Sequence, residues 1–117
     1  MDQFGPYIRA VRERLKESDR SYSVRQVAVR VGLEPSYLSK IERSEQPPPS
    51  ELKIRALARD LKEDPDVLLA LAGKVSRDLQ EIIRKRPVLF GELIRELKRL
   101  PDQSVIRLAR EVRDGEW

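Results

Sequence analysis

The sequence predicts an all-α fold, with five helices in residues 1–73 and three further helices following them. Two observations carry the helical class. Apolar residues recur at three- and four-residue steps along most of the chain, the period of one helical face, and no stretch alternates with period two for long enough to claim a strand. Most prolines, together with Gly32 and Gly73, stand where those periodic segments begin or end.

Phe4, Ile8, Val11 and Leu15 mark the inward face of a first helix. Val24, Val27, Ala28 and Val31 mark a second, stopped by Gly32. A third opens with Pro35 in its first turn and carries Leu38 and Ile41 inward. Pro47-Pro48-Pro49 forbids helix and predicts extended chain. Ser50 caps a fourth helix with Leu52, Ala56, Leu57 and Leu61, and Asp64-Pro65 opens a fifth that ends near Gly73. Beyond it, Ser76 caps a helix containing Leu79, Ile82 and Ile83. The next, from about Pro87 to Leu100, places Phe90, Leu93, Ile94 and Leu97 on one stripe. Asp102, after Pro101, is expected to cap the last, with Val105, Leu108, Ala109 and Val112.

The domain organisation follows as residues 1–73 and residues 74–117. Residues 73–117 hold 17 apolar or aromatic side chains in 45 residues, too short a chain to bury much surface alone. They must pack on the first block, on another chain, or on both. An extension completing one core is the plain reading; a dimerisation element is the favoured one, since self-association commonly covers such a stripe.

Composition narrows the function. The chain has 117 residues, 24 Lys and Arg against 20 Asp and Glu, and neither His nor Cys. That excludes a zinc finger, an iron–sulfur cluster, a thiol nucleophile, a Ser-His-Asp triad and any disulfide. No carboxylate pair stands beside a glycine-rich phosphate loop or in metal-like spacing, so no cofactor, metal or catalytic residue is expected and the protein is read as a non-enzyme. Met1-Asp2 begins no signal peptide, and the longest apolar run, Val67 to Ala72, is far short of a membrane span, which points to a cytoplasmic protein.

The segment Ser23 to Arg43 reads SVRQVAVRVGLEPSYLSKIER. Ala28 lets a following helix cross closely, Gly32 accepts the positive φ of a tight turn, and Leu33, Leu38 and Ile41 lock the pair at a steep angle. On the third helix, Leu38, Ile41 and Glu42 share one side. Ser36, Ser39, Lys40 and Arg43 share the other, with Tyr37 at its margin. Such a face suits a major groove: Ser bonds any base edge, and Lys or Arg reaches guanine or phosphate. Glu42, a carboxylate on the core side, demands a cation, and Arg12 on the first helix is the best placed.

At these residues the chain resembles the lambda repressor/Cro family of helix-turn-helix domains, the Xre-type bacterial and phage regulators. IRAVRE (Ile8–Glu13), the segment just quoted and PDVLLALAG (Pro65–Gly73) carry the resemblance. It implies a five-helix bundle that binds operator DNA as a homodimer, its second helix against the phosphate backbone and its third in the major groove. The family's base contacts fall by position on Pro35, Ser36 and Lys40, with Glu34 and Tyr37 adjacent, and its arginine–glutamate brace on Arg12 and Glu42. Three departures stand out. The family's frequent phosphate-holding glutamine is Val24 here, so Ser23, Arg25 and Gln26 are the substitute phosphate candidates, with Ser44 just past the third helix. Pro35 offers neither donor nor amide at its contact site. The link Lys16 to Ser21 is several residues longer than usual and either lengthens the first helix or forms a loop; Arg20 there is a solvated charge or a phosphate contact.

Charge is distributed in keeping with this. Residues 9–43 carry nine basic and five acidic side chains, a net of +4; residues 45–66 carry four and six, a net of −2. The second block is basic too, most tightly at Arg84-Lys85-Arg86, read as solvated. Trp117 either packs back or anchors a partner. The leading expectation is a homodimeric repressor of a palindromic operator on double-stranded DNA. The alternative is an antitoxin-like or peptidase-regulated switch whose C-terminal helices bind a toxin or peptidase.

Overall fold

A computed structural model describes residues 3–115. Met1 and Asp2, on which the expectation of no signal peptide rests, and Trp117, with its two open roles, lie outside the described residues. Within them the chain is all-α: α1 (Phe4–Lys16), a 3-10 turn (Arg20–Tyr22), α2 (Val24–Val31), α3 (Pro35–Glu42), α4 (Glu51–Leu61), α5 (Pro65–Leu71), α6 (Arg77–Lys85), α7 (Pro87–Arg99) and α8 (Asp102–Asp114). Two compact units divide between Arg77 and Asp78. No helix among the described residues is long and apolar enough to cross a membrane.

In the first unit α1 packs on α3 and α4, α2 on α3 and α4, and α4 on α5. Phe4, Ile8, Val27, Leu38, Ile54 and Leu57 are among the fully enclosed side chains at the centre. Short polar residues cap α2, α4 and α5. Ser23 accepts from Gln26 N at 3.2 Å, Ser50 from Lys53 N at 3.4 Å, and Asp64 from Asp66 N at 2.9 Å, each satisfying an amide that the helix leaves unpaired. The link between α1 and α2 is the 3-10 turn. Asp19 holds it by accepting from the backbone and hydroxyl of Ser21, bonds that keep its carboxyl below the ordinary range.

One device ends α2, α3, α4 and α5 alike. Gly32, Ser44, Lys62 and Gly73 take left-handed φ of 76°, 59°, 60° and 71°. The residue after each returns its N–H to a carbonyl five residues back: Leu33 to Ala28, Glu45 to Lys40, Glu63 to Ala58 and Lys74 to Leu69. This Schellman pattern satisfies the last carbonyls and turns the chain sharply, which is why short helices can stack so closely. Two lysines add further ties: Lys53 Nζ donates to Val31 O, the last carbonyl of α2, at 3.3 Å, and Lys74 Nζ, just past α5, to Pro49 O in the extended segment before α4 at 3.0 Å.

Two local expectations are corrected. Leu52 does not face the core but is 74% exposed; Ile54, Leu57, Ala58 and Leu61 form the inward stripe, and Leu52 lies two residues from Ile54, on the opposite side of the helix. Asp102 does not cap α8. It is the first helical residue, and Pro101, in extended geometry, precedes it without a side-chain cap. The proline's fixed φ and its carbonyl, which accepts from Ser104 N and Val105 N, start the helix instead.

The second unit has a different character. None of α6, α7 and α8 contains a buried residue. Ile82, Val88, Leu89, Ile106 and Val112 are all more than half exposed.

Candidate nucleic-acid interface

The site is built from a helix whose inner side is fully used. Leu38 and Ile41 of α3 are completely enclosed, with Val27 and Ala28 of α2 in the same core. The turn between the helices is Gly32 followed by Leu33, whose N–H bonds Ala28 O at 2.9 Å. Glu34 stands at the N-cap in extended geometry without a side-chain cap bond, and Pro35 takes the first helical position. With its phase so fixed, α3 presents Ser36 and Lys40 to solvent, while Ser39 is half-buried. Tyr37 is half-buried too and packs against the core, so only part of its side chain faces outward.

Arg12 and Glu42 come together beneath this face. Arg12 Nε and Nη2 donate to the two Glu42 carboxylate oxygens at 2.6 and 2.9 Å, and Nη1 donates to Tyr22 O at 3.1 Å. The side chains are 5% and 4% exposed. One planar guanidinium thus ties α1, the end of α3 and the 3-10 turn together, leaving no rotational play. Removing either partner would strand a buried charge, the costly case for such pairs.

Gly5 performs the companion role and is not apparent from periodicity. A Cβ at that position would lie 2.1 Å from Ile41 O and 3.0 Å from Glu42 O, so α1 reaches the end of α3 only because residue 5 has no side chain. A glycine in the first turn of an otherwise well-formed helix is the sequence signal that would have found it. Arg30 is likewise absent from the sequence reading. It forks onto Asp60 at 2.6 and 3.1 Å and lies 5.1 Å from the Tyr22 ring centre, joining α2 to α4.

The remaining candidates divide. Arg25, beside the amide end of α2, is exposed. Ser23 uses its oxygen as the α2 cap, which leaves its hydroxyl hydrogen free to donate. Gln26 is turned back: with its amide nitrogen toward the preceding turn it donates to Arg20 O at 3.0 Å and Ser21 O at 3.2 Å, whereas the opposite orientation faces oxygen to acceptors. Its side-chain donors are therefore already engaged. Arg43 lies at the C-cap rather than within α3, donating to the Ser39 hydroxyl and to Glu45 Oε2. Ser44 follows in the left-handed region. Both line an open groove with Pro6, Arg9 and Glu13 of α1. Among the described residues no group of His, Cys, Asp or Glu has the geometry of a metal site.

Taken chemically, the face offers hydroxyl donors and acceptors, one extended ammonium and the amide end of a capped helix. A family model described as a helix-turn-helix domain matches residues 3–71. No curated protein and no solved structure matches the chain.

Proposed function

Because the chain belongs to the helix-turn-helix domain family, we propose that it is a sequence-specific transcriptional regulator, a repressor that occupies a palindromic operator as a homodimer. The observation that carries this is the outward face of α3: polar and cationic, on a helix whose inner face is buried and pinned by Arg12, Glu42 and Gly5. Ser36, Ser39 and Lys40 read base edges in the major groove, Tyr37 contributing from its exposed margin. Ser23, Arg25 and the α2 amides meet the phosphate backbone, with Ser44 beyond α3. Repression follows from occupying the operator and excluding other proteins.

The second unit supports the homodimer. Ten large apolar side chains of residues 78–115 are between 37% and 72% exposed, a demand for burial that a second copy of the chain can meet. Residues 78–117 carry nine Lys and Arg against eight Asp and Glu, a net of +1. Two like copies therefore meet with little net repulsion, which favours a second copy over a strongly charged partner protein as the cover.

The test is selection of bound sequences from a random duplex pool, followed by anisotropy titrations of the enriched sequence across salt concentrations. Two half-sites about 34 Å apart, or a multiple of that, are expected. Lys40→Ala should weaken the selected site by about 10- to 100-fold, the worth of one good base contact, without changing thermal unfolding. A pool that yields no enriched sequence, or a site indifferent to Lys40→Ala, would overturn the assignment.

A further inference from the structure

The end of α3 holds a device that base reading leaves unused. The Arg43 guanidinium does not extend outward: Nη1 donates to Ser39 one turn back, and Nη2 donates to Glu45 Oε2 at 3.0 Å. Glu45 is not a free loop residue. Ser44 turns the chain in the left-handed region, and the Glu45 N–H then bonds Lys40 O at 2.8 Å, fixing the backbone that carries the carboxylate. Glu45 therefore stands three residues past the end of α3, its carboxylate held against Arg43 at the edge of the outward face.

We propose that Glu45 is a specificity-determining residue: it holds Arg43 folded back on Ser39 in the free protein, so that Arg43 reaches DNA only where the duplex offers an acceptor better than the Glu45 carboxylate. This rests on the DNA-binding reading above and adds to it a residue that touches no base.

Both side chains are about half exposed, 46% and 55%, and an ion pair so solvated is weak enough to exchange. Affinity for arbitrary DNA grows with the number of phosphates a protein neutralises. An Arg43 that arrives with its own carboxylate neutralises none, and any casual phosphate contact must break the pair and leave Glu45 facing the backbone. At a matched site a forked contact to guanine, or a phosphate held in register, replaces both bonds that Arg43 surrenders. Glu45 thus lowers affinity everywhere but least at the operator, which raises the ratio that matters in a genome of competing sites.

Ser39 is drawn into the same arrangement. Its oxygen accepts from Arg43, so while the latch is closed its hydroxyl has a donor to offer but a reduced capacity to accept. The Lys40 charge also bears on Glu45, and together with Arg43 it holds the carboxyl below the ordinary range, the Arg43 hydrogen bond being the larger cause.

The experiment uses the full chain and a mixed-sequence duplex of about two dozen base pairs with no relation to the selected site. Glu45→Gln should tighten binding to this duplex about 3- to 10-fold at moderate salt and steepen the salt dependence by about one phosphate's worth. The selected site should gain less. In an Arg43→Ala background most of the gain should vanish. An equal gain in that background, or no gain in the single variant, overturns the proposal. If neither the natural chain nor Glu45→Gln binds any duplex at low salt, the DNA-binding reading falls and takes the latch's purpose with it. A titration of the Glu45 carboxyl by NMR, without DNA, separates the two failures. It should lie below the usual glutamate range and return to it on Arg43→Ala; an ordinary titration in the natural chain would mean that there is no latch, whatever the protein binds.

Discussion

The two units of this chain are made of similar helices and opposite interiors. In the first, fourteen apolar residues are enclosed among the described residues, and the only buried charges among them, Arg12 and Glu42, satisfy one another. In the second, α6, α7 and α8 are as amphipathic in sequence as α1 or α4, yet enclose nothing. Helices of 9 to 13 residues gain little from propensity alone and depend on packing an apolar face. The difference teaches that amphipathicity records a demand for burial without saying which chain meets it. The first unit meets the demand internally and can present a rigid face; the second leaves it open, and the proposed homodimer is one way to meet it.

The largest expected effects test that contrast directly. Leu57→Ala should lower the stability of the first unit by about 2–5 kcal/mol, the range for truncating an enclosed leucine, at every protein concentration. Ile94→Ala, the same kind of deletion in α7, should leave that unfolding step unchanged and instead weaken self-association. Urea unfolding followed by circular dichroism at several concentrations, with sedimentation equilibrium alongside, separates the two. A concentration-independent loss in Ile94→Ala would show that the second unit has a core of its own.

A smaller effect compares one helical glycine from each unit. Gly5→Ala forces a methyl group against the Ile41 carbonyl, a backbone atom that cannot swing aside, and should cost about 1–3 kcal/mol or more, as overpacking does. At Gly91 in α7 an added Cβ would meet only the flexible end of Arg95, at 3.6 Å. Gly91→Ala should therefore favour the helix by about 0.5–1 kcal/mol. Thermal unfolding measures both. Should Gly91→Ala instead weaken the proposed self-association, the second copy must approach α7 at that residue, which would sharpen the proposed seam to one face.

How much of this was legible in the sequence depends on what each feature needed. The α2–α3 corner was readable because Ala28, Gly32, Leu38 and Ile41 each have a steric reason for their place. The Arg12–Glu42 contact was readable because a carboxylate on a core face demands a cation, and helical register leaves few to choose from. Leu52 misled because a leucine two residues after a cap looks inward until the helix phase is set by the longer stripe through Ile54. Glu45 was invisible: its position depends on how the chain turns after α3, and Ser44 gives no sign that it will turn left-handed. The exposure of α6 to α8 was invisible for the reason given above, since periodicity identifies a face and not its partner.

That blind spot supplies the smallest and most discriminating test. Of the four left-handed helix ends, Gly32 and Gly73 announce themselves, while Ser44 and Lys62 occupy the same conformation with side chains attached. A left-handed residue with a Cβ costs roughly 1–2 kcal/mol, of which glycine's greater freedom in the unfolded chain takes back about 0.5–1. Ser44→Gly and Lys62→Gly should therefore each stabilise the first unit by about 0.5–1 kcal/mol, read as a shift in the urea midpoint. Their effects on DNA should differ. Lys62 ends α4 and belongs to none of the candidate contacts, so its replacement should leave binding to the selected site unchanged. Ser44 lies between Arg43 and Glu45, and Ser44→Gly should weaken binding a few-fold while making the protein more stable. Such an opposition would mean that the strained serine is kept for its hydroxyl; parallel behaviour of the two variants would mean that Ser44 touches no phosphate and that the contact surface stops at α3.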